Sequence, residues 1–128
     1  MNYTYIKKSP FNFYETLDEL RIAFAEEWFW VVSNINIAEK IKAKIDENFW
    51  EYITLWFCKP ELAYEYLNED INLWIFMPCS VSVYEKGWEI FILAGLPENV
   101  IDKVIENKNL KKLNSEISET MKKVIKNI

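Results

Sequence analysis

The segment from Cys79 to Ala94 reads CSVSVYEKGWEIFILA, and its pattern decides the fold. Apolar and polar side chains alternate as far as Tyr84, as in a strand that buries one of its faces. Lys86-Gly87 supplies a turn, and a second apolar run, Trp88 to Ala94, follows at once. Two apolar runs joined by so short a turn predict an antiparallel hairpin.

Further strands and helices are predicted on both sides of this hairpin. The predicted strands, the hairpin included, span residues 2–8, 29–33, 52–58, 73–84 with a break near Pro78, and 88–94. The predicted helices span residues 13–27, 37–45, 61–67 after Pro60, 97–107, and about 115–128. Strands that come in runs with helices inserted indicate an α+β fold. We expect two layers, a curved antiparallel sheet of about five strands with helices packed on one face.

Length and charge limit the classes of protein. The chain has 128 residues, 51% of them hydrophobic, which predicts a single domain spanning residues 1–128. Its net charge of -5 argues against a nucleic-acid partner, because binding phosphates requires a basic face. Neither a signal peptide nor a run of about 18 apolar residues is present, so we predict a cytoplasmic protein with no membrane partner.

The chain contains no histidine. This removes Ser-His and Cys-His nucleophilic catalysis and every metal site that needs an imidazole ligand. The two cysteines, Cys58 and Cys79, are expected to be reduced thiols in a cytoplasmic protein. No cofactor is predicted, and a non-catalytic protein is favoured over an enzyme.

Four short motifs resemble those of the bacterial and archaeal family called domain of unknown function 302. In this chain they read Trp28-Phe29-Trp30-Val31, Cys58-Lys59-Pro60 with Leu62-Ala63, Met77-Pro78-Cys79-Ser80-Val81, and Val83-Tyr84-Glu85. Their order and spacing are preserved over residues 11–94. The resemblance implies a two-layer fold like that of the TATA-binding protein and a homodimer, and it implies no biochemical function.

Two residues depart from the family pattern. Lys59 stands where the family usually has Asn, and a lysine side chain offers no acceptor for capping the helix that follows Pro60. Ser80 replaces another Asn but keeps a small polar group.

The motif residues around the two cysteines form the candidate site, which consists of Cys58, Lys59, Pro60, Pro78, Cys79 and Ser80. The leading hypothesis is a dimeric module that binds a small ligand or a partner there without catalysis. The alternative is a thiol-based redox or soft-metal-handling protein that uses both cysteines. A helix N-terminus and Lys59 would lower the pKa of Cys58 and make it reactive. With no histidine to activate it, a small buried apolar residue is the favoured interpretation.

The tryptophans are unusual in number and position. The chain has 6 Trp and 2 Gly, whereas average usage predicts roughly nine Gly. Against the family pattern, tryptophan lies at or next to glycine positions, or in a loop that commonly carries glycine, at Trp28, Trp30, Trp50, Trp56, Trp74 and Trp88. Trp28 follows a predicted helix and Trp88 lies in the hairpin turn, and both places favour positive φ. We hypothesise that these six positions are encoded by UGA codons that the host reads as glycine. The alternative is that they are true tryptophans, ordinary aromatic residues of the core or the surface.

Overall fold

A computed structural model describes residues 3–77 and 79–128. Its strands form one five-stranded antiparallel sheet in the order β1-β5-β4-β3-β2. The strands are β1 (Thr4–Lys8), β2 (Trp30–Asn36), β3 (Tyr52–Cys58), β4 (Cys79–Lys86) and β5 (Glu89–Gly95). The predicted hairpin is β4 and β5, with Lys86 paired to Glu89 across the turn. The predicted start of the first strand at Asn2 lies outside the described residues.

Helices connect the strands and follow the last one. They are α1 (Phe13–Glu26), α2 (Ile37–Ile45), α3 (Pro60–Glu69), α4 (Pro97–Val100) and α5 (Lys108–Lys126), with a short 3₁₀ helix at Ile71–Phe76. Two starts follow from side-chain capping. Asn12 Oδ1 accepts the Glu15 amide at 2.8 Å, and Asn36 Oδ1 accepts the Glu39 amide at 2.9 Å. Each cap satisfies an amide that the first helical turn leaves without a partner.

The core lies between one face of the sheet and the helices α1, α3 and α5. On the sheet side it contains alternate residues of the three central strands: Leu55, Phe57, Cys79, Val81, Val83, Ile92 and Ala94. On the helix side it includes Leu17, Leu20 and Phe24 of α1 and Tyr66 of α3, and α5 adds Ile117 and Met121. Phe24 stacks on Phe57 with ring centroids 4.3 Å apart, which joins the two layers directly. The predicted α+β fold with a five-stranded antiparallel sheet is confirmed.

Three predicted boundaries are wrong. Residues 73–76 are part of the 3₁₀ helix rather than a strand, because Asp70 caps that turn by accepting the Asn72 amide at 2.9 Å. The helix that begins at Pro97 ends at Val100 instead of near residue 107. Helix α5 begins at Lys108 rather than near residue 115, because Asn107 Oδ1 accepts the amides of the next turn at 2.9 and 3.2 Å.

Among the helices in the described part of the chain, none combines the length and the apolar character needed to span a membrane.

Candidate functional site

The first half of the candidate site is the junction of β3 and α3. Cys58 ends the strand, Lys59 is the N-cap residue, and Pro60 begins the helix, where its missing N–H costs nothing. Lys59 makes no side-chain capping hydrogen bond, as its chemistry predicts. Its Nζ instead lies 5.9 Å from the centroid of the Phe29 ring, within reach of a cation–π interaction.

The second half of the candidate site is the start of β4. Cys79 pairs with Phe57 and Ser80 pairs with Trp56 across the β3–β4 ladder. Directly paired residues point to the same face of a sheet, and successive residues point to opposite faces. Cys79 therefore shares the core face with Phe57, whereas Cys58 points away from it. Pro78, the remaining residue of the predicted site, lies outside the described residues.

The environment of the thiols makes both of them weaker acids than free cysteine. Burial raises the pKa of the Cys58 thiol, and the carboxylate of Glu61 raises it further. This is opposite to the effect expected from the helix N-terminus and Lys59. Cys79 is buried, and its pKa rises from 9.0 to about 12, mainly because of burial and then because of the neighbouring Cys58. Both cysteines are free and both are neutral at physiological pH.

A pocket of about 280 Å³ lies at the end of the sheet where β4 begins and β5 ends. Among the described residues of the predicted site, Cys79 and Ser80 line it. The other lining residues are largely apolar: Trp56, Ile75, Phe76, Met77, Gly95, Pro97, Val100 and Ile101. Cys58, Lys59 and Pro60 do not line this pocket. The structure therefore divides the predicted site into a pocket half and a junction half at the end of β3.

Larger clefts have a different character. A cleft of about 470 Å³ lies between α1 and α5, where Glu19, Glu26, Glu27 and Lys123 are among its lining residues. Solvated charges of this kind hold ligands less well than an apolar pocket with a few polar groups. The pocket beside Cys79 is smaller, and none of the described residues that line it is charged.

Sequence reasoning missed a buried polar network next to Cys79. The Tyr66 hydroxyl donates a hydrogen bond to Asn114 Oδ1, and Asn114 Nδ2 donates to Asp102 Oδ1 at 2.7 Å. Tyr66 and Asn114 are fully buried. Burial raises the pKa of Tyr66 above its usual range, and Cys79 and Asp102 raise it further. Asn114 interrupts an apolar helix face between Leu110 and Ile117, and this was the signal in the sequence, because a polar residue in such a stripe needs a partner.

The comparisons with known proteins agree on a family. The sequence model of "Domain of unknown function DUF302" matches residues 5–128. The fold is similar to the crystal structure of an uncharacterized conserved DUF302 protein from Bacillus stearothermophilus, with a TM-score of 0.91 and 22% identity. That match covers 97% of this chain and 96% of the other. No curated protein matches the chain.

Proposed function

Because the chain belongs to the DUF302 family of domains of unknown function, we propose its function from its own geometry: it is a non-catalytic, cytoplasmic, homodimeric module that binds a small ligand. The observation that carries the proposal is the pocket at the end of β4, to whose lining both Cys79 and Ser80 contribute and among whose described lining residues none is charged. Its volume of about 280 Å³ suits a compact molecule.

The chemistry of the pocket defines the class of ligand. Ile75, Phe76 and Val100 provide apolar surface, and the Ser80 hydroxyl is a donor and an acceptor at its edge. The Cys79 thiol is neutral and behaves as a small apolar group with a weak donor. Such a lining favours an uncharged molecule that combines apolar surface with hydrogen-bonding groups.

The environment of the thiols argues against the redox alternative. A reactive cysteine needs a depressed pKa, and both thiols here have raised ones. The strand register also directs Cys58 and Cys79 to opposite faces of the sheet, an orientation that does not suit a disulfide. Binding without covalent chemistry therefore fits these two residues better.

A ligand screen by NMR tests the binding proposal. The protein is mixed with a library of uncharged fragments that carry hydrogen-bonding groups, and the amide chemical shifts of Cys79, Ser80 and Gly95 are followed. We expect shifts at these three residues and their loss in Gly95→Leu, whose side chain fills the pocket. Ser33→Leu, on the exposed part of β2, is the matched control and should bind as the parent does. A library that shifts none of the pocket amides would contradict the proposal.

The sheet face opposite the helices supports the homodimer. Tyr52, Tyr84 and Phe91 stack across three strands of this face, with successive ring centroids 5.4 Å apart. On β1, Lys8 lies across from Phe91, and Ile6, two residues away on the same face, is exposed. A solvent-facing sheet surface normally carries polar side chains, so an aromatic row with an exposed isoleucine on the same face suits contact with a second copy.

Sedimentation velocity tests the dimer. We expect a dimer for the parent chain and a shift toward monomer for Ile6→Lys, which places a charge on the proposed contact. Tyr64→Lys changes an exposed residue on α3, outside that face, and should leave the dimer intact. A parent chain that sediments as a monomer at every concentration would contradict the proposal.

A further inference from the structure

Trp28 lies at a helix C-terminal position that is most often occupied by glycine. It follows the C-cap residue of α1, and its φ is 67°. The Phe29 amide donates to the Phe24 carbonyl at 2.9 Å, and the Trp28 amide donates to the Ala25 carbonyl at 3.0 Å. These bonds define a Schellman motif, which requires a left-handed residue after the cap and most often uses glycine. The edge-to-face packing of Phe24 and Phe29 supplies the hydrophobic contact that accompanies this motif.

Trp88 occupies a second position of this kind. It follows Gly87 in the two-residue turn between β4 and β5, and the two φ angles are 60° and 68°. Positive φ at both central residues identifies a type I′ turn, whose second residue is most often glycine. Asp46 is the other non-glycine residue with positive φ in the described part of the chain, and aspartate tolerates that conformation. A bulky side chain does not.

The burial of the tryptophans is also low for this residue type. All six lie in the described part of the chain and none is buried, although tryptophan is highly buried on average. Two edge-to-face pairs lie on the surface, Trp28 with Trp30 and Trp50 with Trp88. Exposed aromatic patches usually mark docking surfaces. Here each pair contains one tryptophan in the left-handed backbone conformation. A role in docking would not explain why a tryptophan adopts that conformation.

Composition adds an independent argument. The chain has 6 Trp and only 2 Gly, and 14 Lys against 1 Arg. Lysine codons are rich in A, so an excess of lysine over arginine is typical of a gene rich in A and T. The use of UGA as a sense codon is consistent with such a gene. We propose that the six tryptophan positions are UGA codons which the host of this protein reads as glycine, so that the native chain carries glycine at residues 28, 30, 50, 56, 74 and 88.

The assignment changes the pocket beside Cys79. Trp56 lines this pocket, and a glycine there would remove an indole from its wall. The pocket would then exceed its present 280 Å³ and enter the range of roughly 300–1,000 Å³ usual for ligand sites. This consequence rests on the proposed function, whereas the glycine assignment itself does not.

Peptide mass spectrometry of the protein from its own host, together with the gene sequence, tests the assignment. The tryptic peptide 22–40 contains Trp28 and Trp30, and the peptide 87–103 contains Trp88. We expect UGA at these three codons. Relative to the printed sequence, the mass of peptide 22–40 should be lower by two tryptophan side chains and that of peptide 87–103 by one, each side chain being replaced by hydrogen. The peptide 9–21, which has no tryptophan, is the matched control and should have the mass of the printed sequence. UGG codons at residues 28 and 88, or peptides that contain tryptophan, would overturn the proposal.

Thermal unfolding of recombinant variants supplies a second test. Trp28→Gly and Trp88→Gly should each raise the unfolding midpoint by roughly 3 °C, because glycine relieves the left-handed backbone. Trp28→Asn should raise it less, and Trp28→Ala should not raise it, since alanine is strained there too. Tyr14→Gly replaces an exposed aromatic within α1 and should lower the midpoint. Lower midpoints for both tryptophan variants would count against glycine at these positions.

Discussion

The hydroxyl of Tyr66 on α3 donates a hydrogen bond to the side-chain oxygen of Asn114 on α5, and both residues are fully buried. The bond joins two helices close to Cys79. Asn114 in turn donates to Asp102 at 2.7 Å, so the amide is satisfied on both sides. A buried network of this kind is stabilising only while every member keeps its partner.

Tyr66→Phe should therefore destabilise the protein by about 1–3 kcal/mol, because it leaves the Asn114 oxygen buried without a donor. The free energy of unfolding in urea measures the effect. Tyr64→Phe removes the same hydroxyl two residues away on an exposed side chain and should change stability by less than about 0.5 kcal/mol. Equal effects of the two substitutions would show that the buried bond contributes nothing.

Alkaline pH should destabilise the fold through Cys79. Its pKa is 9.0 ordinarily and about 12 in the folded protein. Below pH 9.0 the thiol is neutral in both states and its full contribution to stability is present. As the pH rises toward 12, the unfolded chain loses the proton first, so stability falls with a slope of at most about 1.4 kcal/mol per pH unit. Tyr66, whose pKa is also raised, adds to the fall.

Urea titrations between pH 8 and 11 check this window. Cys79→Ala should flatten the dependence on pH, whatever its effect on stability at neutral pH. Cys58→Ala, at a half-buried thiol, is the matched control and should flatten it less. The explanation fails if Cys79→Ala leaves the slope unchanged.

The N-cap of α3 is a place where stability can be gained. Lys59 offers no capping acceptor, and its ammonium lies over the Phe29 ring instead. Lys59→Ala loses the cation–π contact and should cost about 0.5–1 kcal/mol. Lys59→Asn loses the same contact but adds a cap, so it should be more stable than Lys59→Ala by about 1 kcal/mol. Urea denaturation of both variants measures the difference, and two equal values would rule out a capping gain.

Local signals in the sequence predicted most helices and strands of the fold, because a strong local signal is enough to identify an element without knowledge of its distant contacts. Asn12 and Asn36 mark helix starts by side-chain capping, and the alternation after Cys79 marks a strand with one buried face. The segment after Asp70 was predicted incorrectly, because its apolar residues fit a strand as well as a buried turn. The composition of the candidate site could not be predicted in the same way, because it is determined by contacts between residues that are distant in sequence. Periodicity carries no information about which of Cys58 and Cys79 lines the pocket, or that Tyr66 reaches Asn114.

The two glycines of the chain should respond in opposite ways to alanine. Gly95 has an ordinary φ, and an added Cβ would lie 4.0 Å from Ser80 Oγ, which is normal van der Waals contact. Gly95→Ala should therefore stabilise the protein by about 0.4–1 kcal/mol, because it restricts the unfolded chain without straining the folded one. Gly87 has a φ of 60°, so Gly87→Ala should destabilise by about 1–2 kcal/mol although nothing lies within 4 Å of the new Cβ. Thermal unfolding of the two variants measures the contrast. A loss of stability in Gly95→Ala as large as that in Gly87→Ala would show that backbone conformation does not decide the outcome.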